Sequence, residues 1–276
     1  MRRPFTQVDV FSAEPYLGNP VAVVLDGDGL TGEQMQAFAR WTNLSETTFV
    51  LPPKAADADY RVRIFTPVAE LPFAGHPTLG TCHAWLAAGS GSPTDGRVVQ
   101  ECGVGLVSIR STPEGLAFAA PPLLREGPVA AADLTKVARE LGLRKADIVD
   151  AQWVDNGPGW VAVMLADADA VLALTPRALT RDIGVVGFHP EGSPELYEVR
   201  AFFPKDGLAV EDPVTGSLNA SLAQWLIGTG RVQPGYVAAQ GTALGRRGRV
   251  RIDADDAGVI WIGGDCTTCI TGSVEL

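Results

Sequence analysis

The sequence predicts an α+β fold of two pseudo-symmetric lobes, each built from short strands and a long central helix. A chain of 276 residues is long enough for two ordinary domains. Its hydrophobic fraction of 46% with 20% charged residues is typical of a globular protein that buries a sizeable core. An internal repeat indicates that the two halves share one architecture.

The first half is predicted to contain short strands and two helices. Thr31 is a good N-cap residue, and Asn43 marks the end of the first helix. The apolar side of this helix is expected to consist of Met35, Phe38, Ala39 and Trp41. The second helix follows Gly75 and ends near Gly89. Segments rich in β-branched and aromatic residues predict strands at 8–11, 21–25, 47–51, 60–65, 98–101, 106–109 and 116–119.

A pair of prolines, Pro121 and Pro122, separates the two halves. They close a strand pattern, and a new helix begins shortly after them, near Asp133. The second half reads as helices at 134–141, 167–174 and 217–227 between strands at 148–154, 160–165, 184–188 and 196–203, with further strands to the end. The predicted lobes are residues 1–120 and 121–265, with a final strand at 266–276 that is expected to return to the first lobe.

The internal repeat consists of two copies of a strand, a loop, a turn and a helix. Residues 63–67, Arg-Ile-Phe-Thr-Pro, match residues 200–204, Arg-Ala-Phe-Phe-Pro. Residues 70–76, Glu-Leu-Pro-Phe-Ala-Gly-His, then match residues 211–217, Glu-Asp-Pro-Val-Thr-Gly-Ser, without a gap. A helix N-terminus carries unpaired N–H groups and about half a positive charge, so two of them facing each other across a cleft would bind an anion. We therefore expect the site at these two turns.

The charge and hydropathy of the chain limit its partners. The net charge of -10 disfavours nucleic acid, since the basic residues are scattered singly outside residues 246–251. No apolar run approaches the roughly 20 residues of a membrane-spanning helix. Because the first residues lead into a strand pattern and not into a signal peptide, we expect a cytoplasmic protein with no membrane partner.

The four cysteines predict neither a disulfide framework nor a metal site. Cys266 and Cys269 have CxxC spacing, but no second such pair and no His-rich segment completes a zinc site. The sequence also lacks a P-loop and a convincing dinucleotide-binding motif. We therefore expect no metal and no organic cofactor.

Five polar residues near strand and helix ends are candidates for the chemistry. His76 follows the glycine of the first turn, and imidazole is the side chain most easily poised near neutral pH. Asp212 and Ser217 flank the second turn. Glu46 opens an apolar strand directly after a helix, where a partly desolvated carboxylate suits a general base. Asn19, in Gly-Asn-Pro, either binds substrate or shapes a turn. A lone residue of these types is more often a cap or a surface residue, and only the combination favours a site.

Six motifs follow one another along the chain. They are Asp-Val-Phe at 9–11, Gly-Asn-Pro-Val-Ala-Val at 18–23, Asn-Leu-Ser-Glu-Thr at 43–47, Phe-Thr-Pro at 65–67, Phe-Ala-Gly-His-Pro-Thr at 73–78 and Glu-Asp-Pro-Val-Thr-Gly-Ser at 211–217. Together they strongly resemble the phenazine-biosynthesis PhzF-like isomerase family. That family is similar in fold to diaminopimelate epimerase, which implies two lobes, each a mostly antiparallel sheet wrapped around a central helix. The resemblance also implies a homodimer.

The resemblance implies a role for each candidate. Glu46 would be the acid-base group that lifts a proton from one substrate carbon and returns it elsewhere. His76 and Asp212 would assist in proton handling and orientation. The residues expected to bind a small carboxylate-bearing substrate are Asn19, Gly75, Gly216 and Ser217. The segment 240–248 looks like the family's late turn of glycines and arginines.

Two other functions are open on the sequence. A non-catalytic small-molecule-binding or interaction protein of the same fold would bind a ligand without proton exchange. A cysteine-dependent racemase would need a pair of cysteines at the two helix starts, where this chain has His76 and Ser217. Cys82 lies about a turn and a half further along its helix. The best-known reaction of the family isomerises a dihydro-hydroxyanthranilate, and nothing in the sequence fixes the substrate of this chain.

Overall fold

Two units make up the chain in the computed structural model, which describes residues 1–276. The first lobe comprises Met1–Ala119 together with Gly263–Leu276, and the second lobe comprises Ala120–Ile262. The first lobe is therefore discontinuous along the chain, because the last fourteen residues of the sequence belong to it.

The first lobe is built from strands and two helices, α1 (Gly32–Thr42) and α2 (Gly75–Ala87). Its strands up to Ala119 are β1 (Arg2–Val10), β2 (Asn19–Val24), β3 (Glu46–Leu51), β4 (Tyr60–Phe65), β5 (Glu70–Leu71), β6 (Arg97–Cys102), β7 (Gly105–Thr112) and β8 (Gly115–Ala119).

The second lobe contains three helices, α3 (Ala131–Leu141), α4 (Ala168–Leu172) and α5 (Gly216–Gly228). Its strands are β9 (Arg125–Pro128), β10 (Asp150–Asp155), β11 (Val161–Met164), β12 (Ile183–Phe188), β13 (Tyr197–Lys205), β14 (Leu208–Asp212), β15 (Tyr236–Gln240), β16 (Gly248–Ala254) and β17 (Ile260–Gly264), whose last residues lead into the first lobe. The final strand, β18 (Cys266–Glu275), lies wholly in the first lobe.

The strands of the two lobes pair in the same order and sense. In the first lobe β18, β1 and β2 are antiparallel, β2 and β3 are parallel, β3 and β4 are antiparallel, and β4 pairs with β5 (antiparallel) and β6 (parallel). The second lobe repeats this series with β9, β10, β11, β12, β13, β14 and β15. The repeat read from the sequence is therefore a repeat of whole sheets.

The central helix of each lobe is buried on nearly all sides. Ten of the thirteen residues of α2 and nine of the thirteen of α5 are buried. A helix that is apolar all round belongs inside a sheet, since no face of it is suited to water. Helix α2 accordingly contacts β1, β2, β3, β6, β8 and β18. The predicted fold class, with a mostly antiparallel sheet around a central helix in each lobe, is confirmed.

Close approach of helix and sheet depends on glycine in both lobes. A Cβ atom on Gly80 of α2 would lie 2.4 Å from Val21 Cγ1. In the second lobe the glycine is on the strand, where a Cβ on Gly184 would lie 2.3 Å from Leu218 Cδ1 of α5. At each of these positions any side chain would overlap the facing valine or leucine side chain, so glycine permits the packing.

Helix α1 packs on the outer face of the first sheet and has the predicted ends. Thr31 and Gln34 form a capping box, and Asn43 adopts a left-handed conformation at the C-cap. Met35, Phe38 and Ala39 are buried with Phe49 of β3. The expectation for Trp41 was wrong, because its side chain is 81% exposed and stacks on Phe38. It lies off the stripe that positions 35, 38, 39 and 42 form at 3.6 residues per turn.

Three further details differ from the predicted elements. Strands β5 and β14, which form hairpins with β4 and β13, lie where only a loop was expected. Strand β9 was not expected at all. These strands are short or exposed, and β9 ends at Pro128, so their composition is that of turns.

Candidate active site

His76 stands between an amide and a carboxylate in the first lobe. Its Nε2 atom lies 3.3 Å from Glu46 Oε2, and its Nδ1 atom lies 3.5 Å from Asn19 Nδ2. The His76 side chain is 5% exposed and that of Glu46 is 15% exposed. The separation of His76 Nε2 and Glu46 Oε2 is slightly long for a hydrogen bond. Three of the predicted site residues are thus brought together.

Glu46 is held by the way its strand begins. Helix α1 ends at Asn43, and β3 starts three residues later with Glu46 opposite Val21 of the parallel strand β2. The remaining residues of β3 are buried. The carboxylate is therefore fixed at the rim of a buried strand, where it is only partly hydrated.

Asn19 is positioned by the turn that precedes β2. The Gly18 N–H donates to Asp9 Oδ2 over 2.7 Å. A Cβ on Gly18 would lie 2.2 Å from the Val10 carbonyl oxygen, so only glycine fits. Asn19 itself is fully buried. Asp9 was quoted only as part of a motif, and its buried carboxylate is a support for the site that sequence reasoning missed.

The His76 imidazole is neutral at neutral pH. Burial lowers its pKa to about 3, and a hydrogen bond to the Pro20 carbonyl opposes this shift only in part. A neutral ring has one nitrogen that donates and one that accepts. While it stays neutral it can therefore form a hydrogen bond with the neighbouring Glu46 carboxyl group, as donor or acceptor according to which ring nitrogen carries the proton.

Helix α2 begins at Gly75 without a side-chain cap. Its N-cap residue is Ala74, which has no hydrogen-bonding side chain. The N-cap residue of α5 is Thr215, whose side chain also makes no cap hydrogen bond. The amides of both first turns, including those of Gly75 and Gly216, are therefore not satisfied by a local cap.

In the second lobe a buried amide organises the turn before α5. Gln240 Oε1 accepts from the Thr215 N–H at 3.0 Å, and Gln240 Nε2 donates to Thr215 Oγ1 at 3.0 Å and to the Asp212 carbonyl at 3.2 Å. Thr215 Oγ1 then donates to Asp212 Oδ2 over 2.5 Å. The turn is therefore locked, and the Asp212 carboxylate is oriented by a hydroxyl group three residues away.

The first lobe has a similar clamp. Gln100, in the strand that follows α2, donates to Thr78 Oγ1 at 3.0 Å, while Gln240, in the strand that follows α5, accepts from Asn219 Nδ2 at 2.8 Å. Thr78 and Asn219 are matched positions of the repeat. Sequence reasoning missed both glutamines, although their shared place after the central helices was a usable signal.

The late glycine turn packs against the turn before α5. Gly241 has a φ of 90°, and a Cβ there would lie 2.6 Å from the Pro213 carbonyl oxygen. Arg249, one of the late arginines, pairs with Glu195. The segment 240–248 therefore supports the Asp212 turn from the side.

Ser217 is contacted by the loop between β10 and β11. The Trp160 indole Nε1–H donates to Ser217 Oγ at 3.1 Å, and the Asn156 side-chain amide donates to the Ser217 carbonyl at 2.8 Å. Neither Trp160 nor Asn156 was predicted as part of the site. No three His, Cys, Asp or Glu side chains are grouped as a metal ion would require. No helix is long and apolar enough to span a bilayer.

Fold and site together define a two-lobed protein with a largely buried cluster of Asn19, Glu46 and His76 in the first lobe and a hydrogen-bonded turn that carries Asp212 in the second. The model of the family described as "Phenazine biosynthesis-like protein", PhzC-PhzF, matches residues 8–272. The chain belongs to this family.

Known proteins similar to the chain cover nearly all of it. "Antisense-enhancing sequence 1" of Schizosaccharomyces pombe is 36% identical, with 97% of each chain covered. "Trans-2,3-dihydro-3-hydroxyanthranilate isomerase" of Pseudomonas aeruginosa is 38% identical, with 92% of this chain and 91% of that protein covered. The crystal structure of the Bacillus anthracis phenazine biosynthesis protein of the PhzF family superposes with a TM-score of 0.85 at 23% identity over the whole of both chains.

These comparisons decide three of the predictions. The family resemblance and the fold class are confirmed. The predicted enzyme class, an isomerase, is confirmed by the relatives with that assigned activity.

Proposed function

We propose that the chain is a cofactor-independent isomerase that moves a proton between carbons of a small carboxylate-bearing substrate, with Glu46 as the acid-base group. The observation that carries the proposal is the 3.3 Å approach of the Glu46 carboxylate to the buried, neutral imidazole of His76. The reaction is balanced without any redox step: Glu46 takes a proton from one substrate carbon, and the same proton or one exchanged with it is returned to another carbon.

The surroundings of Glu46 suit such a role. A positioned general base contributes roughly 10²- to 10⁴-fold to a rate. A neutral His76 can donate from Nε2 to the ionised Glu46 carboxylate in one tautomer and accept from the protonated carboxyl group in the other. The Asn19 amide beside the imidazole fixes the ring and is proposed to contact the substrate as well.

The substrate carboxylate is proposed to bind to helix N-terminal groups. Gly75 begins α2, and Gly216 and Ser217 begin α5, where the backbone N–H groups lack a side-chain cap. Asp212, oriented by Thr215, is proposed to position the substrate and to assist in proton handling. These roles follow the chemistry of the groups in each lobe.

A cysteine-dependent racemase has little support. Burial raises the pKa of the Cys82 thiol to about 12, so it is protonated at neutral pH and a poor base or nucleophile. Cys82 also lies in the interior of α2, among its buried residues.

The test is solvent-hydrogen exchange. The probe is trans-2,3-dihydro-3-hydroxyanthranilate, the compound named for the Pseudomonas aeruginosa relative. The purified chain is incubated with it in D₂O, and deuterium at carbon is followed by NMR. Glu46→Gln, which is nearly isosteric, should lose at least 10²-fold in exchange rate, whereas Glu33→Gln on exposed helix α1 should keep the wild-type rate.

Two outcomes would reject the proposal. A Glu46→Gln variant that exchanges as fast as wild type would remove Glu46 as the acid-base group. Binding of the probe with equal affinity to wild type and Glu46→Gln, with no exchange in either, would favour the non-catalytic binding protein.

The predictions of a homodimer, of a cytoplasmic location and of no nucleic-acid or membrane partner stay predictions. Light scattering checks the first, since a dimer would have twice the chain mass of 29.0 kDa.

A further inference from the structure

The loop between β10 and β11 grips the first turn of α5 at two points. Trp160 Nε1–H donates to Ser217 Oγ, and Asn156 Nδ2 donates to the Ser217 carbonyl. The loop is itself rigidified, because Asp155 Oδ1 accepts from the N–H groups of Gly157 and Gly159, each at 2.7 Å. Trp160 is buried, so its indole cannot turn away to water.

A similar arrangement, in which an aspartate fixes a strand connection that contacts the central helix, is present in the first lobe with different side chains. There Asp9 accepts from the N–H of Gly18 in the β1–β2 connection, and Asn19 from the end of that connection contacts His76. His76 and Ser217 are matched positions of the repeat, each the second residue of its central helix. In both lobes a hairpin loop therefore reaches the second residue of the central helix, a position with a proposed role in the reaction.

The indole fixes the direction of the Ser217 hydroxyl. An indole N–H is a donor only, whereas a hydroxyl group has one donor and two acceptor sites. Ser217 Oγ must therefore accept from Trp160, and its own proton is left for another acceptor. The first turn of α5 then presents the N–H groups of Gly216 and Ser217 and the hydroxyl proton as donors, with one remaining lone pair of Ser217 Oγ as an acceptor.

We propose that Trp160 is a positioning residue that sets specificity for a carboxylate over a carboxamide, by holding the Ser217 hydroxyl as a hydrogen-bond donor at the start of α5. The inference rests on the proposed function, because it takes the first turn of α5 as the place where the substrate carboxylate binds. A carboxylate accepts from every donor of this turn. A carboxamide presents an NH₂ group for which this turn has at most the one remaining lone pair of Ser217 Oγ, and an unpaired polar group is costly.

The test compares two stable probes, 3-hydroxyanthranilate and 3-hydroxyanthranilamide, whose dissociation constants are measured by calorimetry. Wild type should prefer the carboxylate. Trp160→Phe keeps the ring and removes the N–H, so the Ser217 hydroxyl can turn and accept from the amide. The preference should then fall by about 3- to 10-fold, the value of one neutral hydrogen bond.

A matched control and a double variant separate this role from general damage. Trp261, also buried in the second lobe, donates its indole N–H to Asp255 Oδ2 at 3.0 Å, so Trp261→Phe removes a comparable bond elsewhere and should leave the preference unchanged. Ser217→Ala should lower the preference as well, and Trp160→Phe should have no further effect in that background. Near-UV circular dichroism checks that each variant is folded.

Four outcomes would overturn the inference: an unchanged preference in Trp160→Phe, an equal fall in Trp261→Phe, a full Trp160→Phe effect in the Ser217→Ala background, or a wild-type protein with no preference. The outcome is independent of proton transfer, because the dissociation constants of the two stable probes are measured without any reaction. If the exchange test fails but the preference depends on Trp160, the proposed catalysis is rejected and the positioning role stands. If exchange occurs but the preference does not depend on Trp160, the positioning role is rejected and the proposed catalysis stands.

Discussion

Arg200 and Glu211 form a two-pronged ion pair in the second lobe, with Nε–Oε1 and Nη2–Oε2 distances of 3.0 and 2.6 Å. The matched residues of the first lobe, Arg63 and Glu70, form the same pair with two distances of 2.7 Å. The environments differ, since both side chains are 8% exposed in the second lobe and 29% and 42% exposed in the first. The repeat therefore contains the same Arg–Glu ion pair twice, once buried and once partly exposed.

We predict unequal costs for breaking these pairs. Glu211→Gln should lower the free energy of unfolding by about 3 kcal/mol, because a buried guanidinium loses its counter-charge. Glu70→Gln should cost less than about 1 kcal/mol, because water screens the exposed pair. Urea denaturation of both variants checks this, and equal costs would show that burial does not decide the strength of the pair.

The packing of α2 on its sheet predicts that Gly80→Ala is destabilising. The new Cβ would lie 2.4 Å from Val21 Cγ1 and 2.9 Å from Val10 Cγ2, so helix and strands must separate, at a cost of about 1 to 3 kcal/mol. Gly228→Ala is the control, because that helical position of α5 is open, and alanine there should be neutral or stabilising by up to about 1 kcal/mol. Thermal unfolding of both variants distinguishes steric overlap from a general effect of the substitution.

Because of Asp182, we predict that the protein loses stability as the pH rises. Burial, and to a smaller degree the nearby Asp155 charge, raise its pKa from 3.8 to about 6. Ionisation of a carboxyl group whose pKa is higher in the folded state lowers the free energy of unfolding. The loss of stability therefore begins at about pH 4 and is complete above about pH 6. Asp182→Asn should therefore stabilise the protein at pH 7.5 by about 1 kcal/mol, a value reduced for partial exposure.

This gain should be much smaller near pH 4, because the Asp182 carboxyl group is then neutral in the folded state and only about half ionised in the unfolded state. Urea denaturation at the two pH values measures it, and Asp256→Asn, at an exposed position of the same lobe, should show no such dependence. A constant difference between Asp182→Asn and wild type at both pH values would argue against the raised pKa.

The His76 ring should stay neutral far below the usual pKa of histidine. With its pKa lowered from 6.5 to about 3 by burial, its ¹⁵N and ring-proton NMR signals should not titrate between pH 8 and pH 5. His76→Asn identifies the signals by their loss. The sign for stability is the opposite of that for Asp182: acidification below pH 6.5 protonates His76 only in the unfolded state and so destabilises the fold. An inflection near pH 6.5 in the NMR signals of the folded His76 ring would contradict the prediction.

Most of the local signals that position Glu46, His76 and the turn at Asp212 are visible in the sequence. The repeat is legible because a strand, a P-x-x-G turn and a buried helix each leave a local pattern, and Thr31 and Asn43 are local helix signals that the structure bears out. These features depend on neighbours within a few residues.

The supports of the site could not be read in the same way. Trp160 acts on a residue 57 positions away, and Gln240 acts on one 25 positions away. Such contacts exist only after the sheets have formed, and a tryptophan just before a strand or a glutamine at the end of one looks like ordinary core. Trp41 shows the converse error, since a large apolar residue in a helix was assigned to the buried side although its angular position is wrong.

Strand β18 pairs with β1 along its whole length, and Leu276 donates its N–H to the Met1 carbonyl. During synthesis, β1 is therefore made before the second lobe and can pair with β18 only after the entire second lobe has been synthesised. Until then its edge is open to pairing with other chains, which makes the period of synthesis the time of greatest aggregation risk. Any truncation that removes the last strand would make that transient state permanent.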